Sequence, residues 1–181
     1  MERASDDLKH EHDAILFSLN ILEEICRRIE SGRDVPAGDL SGITGFLKLF
    51  ADKCHHGKEE GFLFPALEEA GIPRQNGPIG VMLSEHDKGR NFIKGMEGAI
   101  KENGVDKTGF TEAARGYISL LRDHIEKENK VLFPMGDSKL TAAKQEELIH
   151  SFGEFEEKVI GAGKHEELHA MLNDYKKRYM K

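Results

Sequence analysis

Two stretches of the chain, "HHGKEEGFLFP" at residues 55–65 and "HIEKENKVLFP" at residues 124–134, share the pattern H-x-x-K-E-x-x-x-L-F-P. A second shared motif precedes each of them, "EHD" at residues 11–13 and again at residues 85–87. The same two motifs therefore occur twice in the same order. This duplication predicts two similar helical hairpins, each with "EHD" on its first helix and the longer motif on its second.

Apolar residues recur with helical spacing along almost the whole chain, and no convincing strand alternation interrupts them. Glycine- and proline-containing stretches separate the helical segments. We predict an all-α fold, an up-and-down antiparallel four-helix bundle with an additional C-terminal helical segment. Residues 1–135 form the bundle and residues 136–181 an extension that packs on it. The predicted helices are residues 5–30, 39–69, 79–102, 108–133 and 141–178, the last interrupted at residues 161–163.

The charge and apolar content of the chain argue against several classes of function. The 181 residues carry a formal net charge of −7 without a basic cluster, which argues against nucleic acid as a partner. No apolar run approaches the roughly 20 residues that span a bilayer, so we expect no membrane partner, and the charged start is unlike a secretory signal. With only two cysteines, both on apolar helical stripes, we expect a reduced, cytoplasmic protein.

The histidines fall on the apolar faces of the predicted bundle helices. In the fourth helix, His124 and Glu128 lie four residues apart in the middle of the stripe formed by Tyr117, Leu121 and Leu132. An unpaired carboxylate there would be costly, so a compensating group is expected. His12 lies on the corresponding stripe of the first helix.

The second and third helices contribute the remaining candidates. His55 and Glu59 border the apolar stripe of the second helix, and His86 lies at the edge of the apolar face of the third. We expect the adjacent His56 to face outward, with a role as an extra or alternative ligand left open. Helix arms of nearly equal length bring the histidines of each antiparallel hairpin to one height.

The convergent groups are four imidazoles and two carboxylates, too many for one tetrahedral zinc. They favour a dinuclear centre in which the two glutamates bridge the metals. Nitrogen and oxygen donors without thiolate favour iron, with manganese second and zinc less suited. Coordination positions then remain open for oxygen, nitric oxide, peroxide or water. The candidate metal ligands are His12, His55, Glu59, His86, His124 and Glu128.

This pattern resembles the hemerythrin family, especially its bacterial HHE cation-binding branch. The resemblance covers about residues 5–135 and rests on those six residues. It implies a non-haem di-iron centre with carboxylate and oxo or hydroxo bridges and a position for an exogenous ligand. Two departures argue against a five-histidine oxygen carrier: Arg90 stands where carriers have a second third-helix histidine, and Glu128 follows His124 by four residues, where carriers have an aspartate at five.

The sequence leaves the reaction open. We expect a di-iron protein that binds or senses oxygen or nitric oxide, with a di-iron oxidoreductase acting on peroxide or oxygen and an iron-handling or storage protein as alternatives. The absence of a rubredoxin-like or iron–sulfur motif weakens a self-sufficient enzyme, so no catalytic residue is assigned. The C-terminal segment gives a weak indication of a homodimer contact.

One further string competes with this interpretation. "HEELH" at residues 165–169 matches the H-E-x-x-H motif of zinc peptidases. Only Asp174 follows it as a potential third ligand, five residues on, and the glycine and histidine of a metzincin continuation are missing. We expect this string to belong to a packing helix.

Overall fold

The computed structural model describes residues 3–161 and 163–180, and this part of the chain forms six helices. The first four run up and down as an antiparallel bundle, which confirms the predicted all-α fold. The helices are α1 (Ala4–Glu30), α2 (37–69), α3 (Pro78–Ala99), α4 (107–139), α5 (Ala142–Ile160) and α6 (Lys164–Tyr179).

Helices α2 and α4 each contain a π-helical segment at the same place in the sequence repeat, and α2 contains a further one before it. In α2 a first π segment spans Leu47–His56 and a second spans Glu59–Leu63. In α4 the π segment spans Glu128–Leu132. The Phe64 N–H donates to the Glu59 carbonyl, five residues back, and the Phe133 N–H donates likewise to the Glu128 carbonyl. Both hairpins therefore widen the helix immediately after a candidate ligand.

The prolines of the two L-F-P strings follow these wide turns. Pro65 and Pro134 each lie in the first turn of the α-helical segment that comes next, where a missing N–H is tolerated. Helix α4 consequently continues to Lys139, and the prediction that it ends near residue 133 is wrong. The wide turn makes room for the proline ring inside a continuous helix.

Two apolar clusters fill the bundle, and the histidines lie between them. The larger cluster includes Ile15, Ala51, Ile93 and Leu121, one from each bundle helix. The smaller includes Leu8, Leu63, Met82 and Leu132, again one from each. Each helix therefore carries its candidate ligands where one cluster ends and the other begins, so the polar layer is enclosed by hydrocarbon on both sides.

A short antiparallel hairpin, β1 (Ile100–Lys101) and β2 (Gly104–Val105), joins α3 to α4. The predicted continuation of the third helix to residue 102 is wrong, because the chain leaves the helix at Ile100 with an extended backbone. None of the helices in the described part of the chain is long and apolar enough to cross a membrane.

Helices α5 and α6 lie against the bundle. Buried Leu148 and Phe152 of α5 join the smaller apolar cluster, and buried Leu168 and Leu172 of α6 join the larger one. The predicted break between them is confirmed: Gly161 and Gly163 both have positive φ, 84° and 78°. Ala162 lies outside the described residues. Both ends of the bundle core are thus completed by residues from beyond the repeat.

Candidate metal centre

The six predicted ligands lie together in the bundle interior, each at most 1% exposed. Their donor atoms form two groups of four, and within each group the atoms lie within 4.8 Å of one another. Glu59 belongs to both. One group is His12, His55, Glu59 and Glu128; the other is His56, Glu59, His86 and His124.

His56 is the member that the sequence analysis placed wrongly. It was expected to face outward, yet it is 2% exposed and its ring stacks on that of His86, with centroids 3.9 Å apart and planes 13° apart. The π-helical segment Leu47–His56 explains the difference, since more residues per turn bring two successive side chains towards the core. Both His55 and His56 therefore face the centre.

Each glutamate reaches across the two groups. Glu128 places Oε2 3.1 Å from His12 Nε2 and Oε1 3.2 Å from His124 Nε2. Glu59 places Oε1 3.6 Å from His55 Nε2 and Oε2 3.3 Å from His86 Nε2. One oxygen of each carboxylate thus faces each group, which is the arrangement that two bridging carboxylates require.

The inward-facing donor atoms are unsatisfied. Among the described residues, all four carboxylate oxygens of Glu59 and Glu128 lack a hydrogen-bond partner, as do Nε2 of His12 and His55 and both ring nitrogens of His56. Burying so many unpaired polar atoms is costly unless a cation binds them. This donor set therefore fits two metal ions that share the two glutamates.

The outward-facing ring nitrogens, by contrast, are held by acidic partners. His55 Nδ1 donates to Glu11 at 2.7 Å, and His124 Nδ1 donates to Glu85 at 2.9 Å. Such contacts orient a metal-binding imidazole and leave Nε2 free for the metal. Glu11 and Glu85 are the first residues of the two "EHD" motifs, so each motif supplies a histidine and the acid that holds its neighbour on the paired helix.

The lysines of the H-x-x-K-E strings secure these acids. Lys58 Nζ donates to the other oxygen of Glu11 at 2.8 Å, and Lys127 does the same to Glu85. All four residues lie within the sequence repeat, although their spacing alone predicts no role for them. Their recurrence at matching places in both hairpins was the signal that identifies them.

The remaining two imidazoles are held across the bundle. His12 Nδ1 donates to Asn129 Oδ1 at 2.9 Å, and His86 Nδ1 donates to Glu60 Oε1 at 2.7 Å. Asn129 and Glu60 each follow a bridging glutamate, and each reaches the histidine of the opposite hairpin. The two halves of the repeat therefore orient one another's ligands.

Comparison with known proteins agrees with this geometry. Residues 3–136 match the family model described as the hemerythrin HHE cation-binding domain. The chain belongs to the hemerythrin HHE family. Its members include a protein described as an iron-sulfur cluster repair protein, YtfE, of Escherichia coli O157:H7, which is 33% identical over 105 residues, 51% of this chain and 46% of that protein. No solved structure gave a significant match.

Two mycobacterial relatives cover more of the chain. The uncharacterised proteins Mb2018 of Mycobacterium bovis and Rv1995 of Mycobacterium tuberculosis are each 24% identical over 162 residues. The match covers 87% of this chain and 63% of each relative. The chain thus spans less than two thirds of the length of these relatives. The family match, the relative described as an iron-sulfur cluster repair protein and the histidine–glutamate cluster together indicate a metal-binding protein of the di-iron type.

Arg90 occupies the place where hemerythrin oxygen carriers have a further histidine. Its guanidinium donates to Glu60 at 2.6 Å and to Asp52 at 2.8 Å, and it does not join the metal-ligand groups in the described part of the chain. Asp52 Oδ1 also lies 3.6 Å from His56 Nδ1. Arg90 therefore supports the acids beside His56 and His86 from outside the cluster.

Without metal, the buried centre holds protons unevenly. Burial and the neighbouring Glu128 carboxylate raise the pKa of Glu59 well above its usual value. Burial alone would raise the pKa of Glu128 too, but His124 and His12 hold it well below the usual value. Burial opposes protonation of His124, yet Glu128 and Glu85 raise its pKa to about 9. In the metal-free centre, protons on Glu59 and His124 therefore reduce the negative charge of the buried carboxylates, which bound metal ions would neutralise instead.

The "HEELH" string lies apart from this centre. His165 and His169 are partly or fully exposed on α6, and neither belongs to a group of potential metal ligands within the described residues. His165 Nε2 instead lies 3.3 Å from Glu156 Oε1 on α5. The spacing that resembles a zinc peptidase here belongs to a helix that packs through Leu168 and Leu172.

Proposed function

We propose that the chain holds two iron ions in this cluster and binds or senses a small diatomic ligand, oxygen or nitric oxide. One observation carries the proposal: the two groups are unequal. Three imidazoles, from His56, His86 and His124, face one position, whereas only His12 and His55 face the other. The position with fewer protein donors is where an exogenous ligand is expected.

The chemistry of the donors supports iron. Imidazole nitrogens and carboxylate oxygens suit iron and manganese, and within the described residues neither four-residue group includes a cysteine. Burial raises the pKa values of Cys26 and Cys54 to about 12, so both remain thiols at neutral pH. When bound, two iron ions with an oxo or hydroxo bridge would supply redox change and an open coordination position.

The residues around the cluster would control what reaches it. The apolar clusters on both sides, with Phe64 and Phe133 fully or almost fully buried, keep water from the donor atoms. Phe133 stacks on the His12 ring at 5.5 Å between centroids, and Phe64 stacks on the His86 ring at 5.8 Å. A site enclosed in this way favours small uncharged molecules over charged substrates.

A second candidate function is iron handling, because a relative is described as an iron-sulfur cluster repair protein. Release of iron from this chain to a damaged cluster would use the same ligands. The two candidates differ in what happens to the metal: a ligand-binding protein keeps its iron while the ligand comes and goes, whereas an iron donor loses it to an acceptor.

The test is metal analysis of anaerobically purified protein, followed by absorption spectra with oxygen, nitric oxide and peroxide. We expect about two irons per chain and a spectrum that changes reversibly with oxygen or nitric oxide. Glu128→Ala serves as the control that lacks a bridging carboxylate, and should lose both iron and the spectral change. One zinc ion and no iron would contradict the di-iron centre, and continuous consumption of peroxide would favour an oxidoreductase.

A further inference from the structure

Lys58 lies at the centre of an ion cluster that connects the bundle to α5. Its side chain is fully buried, and its Nζ lies 2.8 Å from Glu11, 2.7 Å from Glu156 and 3.2 Å from Asp7. Burial alone would lower the pKa of Lys58, but these carboxylates raise it, so the ammonium stays charged. Glu11, Cys54 and Glu156 resemble a third group of metal ligands, yet the Lys58 ammonium already supplies the positive charge there.

The equivalent lysine in the other half of the repeat has a different environment. Lys127 is 43% exposed and, among the described residues, pairs with Glu85 alone. Glu85 and Glu11 hold their histidines in the same way, but a different set of partners secures the lysine in each half. Lys58 has two further partners, Asp7 of α1 and Glu156. Glu156 comes from the C-terminal extension, outside the family match at residues 3–136.

An unbroken series of short contacts leads from α5 to a metal ligand. Glu156 Oε2 accepts from Lys58 Nζ at 2.7 Å, Lys58 donates to Glu11 Oε1 at 2.8 Å, and Glu11 Oε2 accepts from His55 Nδ1 at 2.7 Å. The other oxygen of Glu156 lies 3.3 Å from His165, on α6. Both helices of the extension therefore take part in holding the acid that orients His55.

A glycine next to these residues lets α5 approach the α2 backbone closely. A Cβ atom on Gly57, between His56 and Lys58, would lie 2.8 Å from two ring atoms of Phe155. Only a glycine lets the Phe155 ring rest on the α2 backbone there. Phe155 immediately precedes Glu156, so this contact places the carboxylate beside Lys58.

We propose that Glu156 is a positioning residue of the metal centre, which acts through Lys58 and Glu11 to hold His55 and so strengthens metal retention at the two-imidazole position. This inference rests on the proposed di-iron centre. The C-terminal extension then stabilises metal binding at the two-imidazole position more than at the three-imidazole position. The Nδ1 atoms of His86, His124 and His56 instead face Glu60, Glu85 and Asp52, so this series acts directly on the two-imidazole position.

The experiment uses the full chain loaded anaerobically with two ferrous ions and mixed with an excess of the ferrous chelator ferrozine. Removing an outer partner of a metal-binding histidine costs about 10–100-fold in affinity. Glu156 acts one step further out, so Glu156→Gln should speed release of one iron per chain by about tenfold, the low end of that range. The second iron should leave at the wild-type rate.

Two further variants make the result specific. Glu154→Gln removes a carboxylate from an exposed position on the same helix, where its partner is His150 at 3.5 Å, and should release iron like the wild type. Glu156→Asp keeps the charge but withdraws it by one carbon, and should speed release of the same iron by less than about tenfold. Circular dichroism measures whether each variant folds. If Glu156→Gln does not fold, the iron-release rate of Glu156→Asp tests the role of Glu156 instead.

The outcomes separate this inference from the proposed function. If the wild type binds two irons and Glu156→Gln releases both at the wild-type rate, the role of Glu156 is overturned and the proposed function stands. Equal acceleration of both irons would also overturn it, because that result indicates general loosening of the fold. A wild-type chain that takes up no iron would overturn the proposed function and this inference together.

Discussion

Four of the five histidines in the cluster use one ring nitrogen for a side-chain partner and the other for the metal position. His12, His55, His86 and His124 give Nδ1 to a named side-chain acceptor and turn Nε2 inward. This fixes the ring orientation before any metal binds, which lowers the ordering cost of forming the site. His56 is the exception, with Asp52 at 3.6 Å from its Nδ1, beyond hydrogen-bonding distance.

His56 therefore provides the most direct residue-scale test. His56→Leu removes one imidazole from the three-imidazole position and fills the space with hydrocarbon. We expect iron content to fall from about two to about one per chain, because the other position keeps its ligands. Plasma mass spectrometry of purified protein measures this. His10→Leu, at an exposed position on α1, should retain full iron; retention of two irons by His56→Leu would remove His56 from the ligand set.

Prediction from the sequence succeeded for residues whose spacing follows a regular α-helix. His124 and Glu128, four apart on an apolar stripe, lie in the core as expected. His56 was misplaced because adjacent residues of an α-helix diverge by about 100°, and the sequence carries no clear sign of the π-helical segment that ends at His56. The acid and lysine partners were visible in the repeat, but their contacts depend on how the hairpins face one another.

At the scale of helices, the π segments give α2 two features that a regular α-helix would not combine. It presents two successive histidines to the core through one π segment and continues past Pro65 through another. Its outer surface receives α5. Glycines at Gly57 and Gly61 lie in the same stretch, and only the first is needed for packing: a Cβ at Gly61 would meet nothing within 4 Å.

Alanine substitutions at these two glycines should therefore have opposite effects. Gly57→Ala forces Phe155 to move and should destabilise the protein by about 1–3 kcal/mol. Gly61→Ala adds a methyl group in open space and gains helix propensity, so it should stabilise by up to about 1 kcal/mol. Urea unfolding of the metal-free proteins compares them. Equal effects of the two substitutions would show that α5 does not rest on Gly57 as described.

At the scale of the molecule, the two hairpins share one set of equivalent ligands, to which the first hairpin adds His56, and they differ in their surroundings. The duplication predicted the bundle and the level at which the ligands meet. The differences lie in Arg90 with Asp52 on one side and Lys58 with Glu156 on the other. These could not be predicted from the repeat, because Glu156 belongs to the extension, which has no counterpart in it.

The charges of the whole centre predict opposite pH dependences for metal-free and metal-loaded protein. In the metal-free chain the pKa of His124 is about 9, above its usual 6.5, so the folded state binds this proton more tightly than the unfolded state. Its stabilising contribution is present below pH 6.5 and is lost as the pH rises through about 9. The loss is on the order of 3 kcal/mol, and the raised pKa of Glu59 acts in the same direction.

Metal loading should reverse this trend, because bound iron replaces those protons and metal affinity rises as the ligands deprotonate. Thermal unfolding between pH 6.5 and 9, with chelator present, should show a falling midpoint for the metal-free chain. The anaerobically loaded chain should hold or gain stability from pH 6.5 to 8. Metal-free Glu128→Gln lacks the carboxylate that raises the pKa of His124 and should lose most of the slope. A metal-free wild type with a midpoint independent of pH would contradict the proton arrangement, and with it the view that charge in this cluster is balanced by either protons or metal.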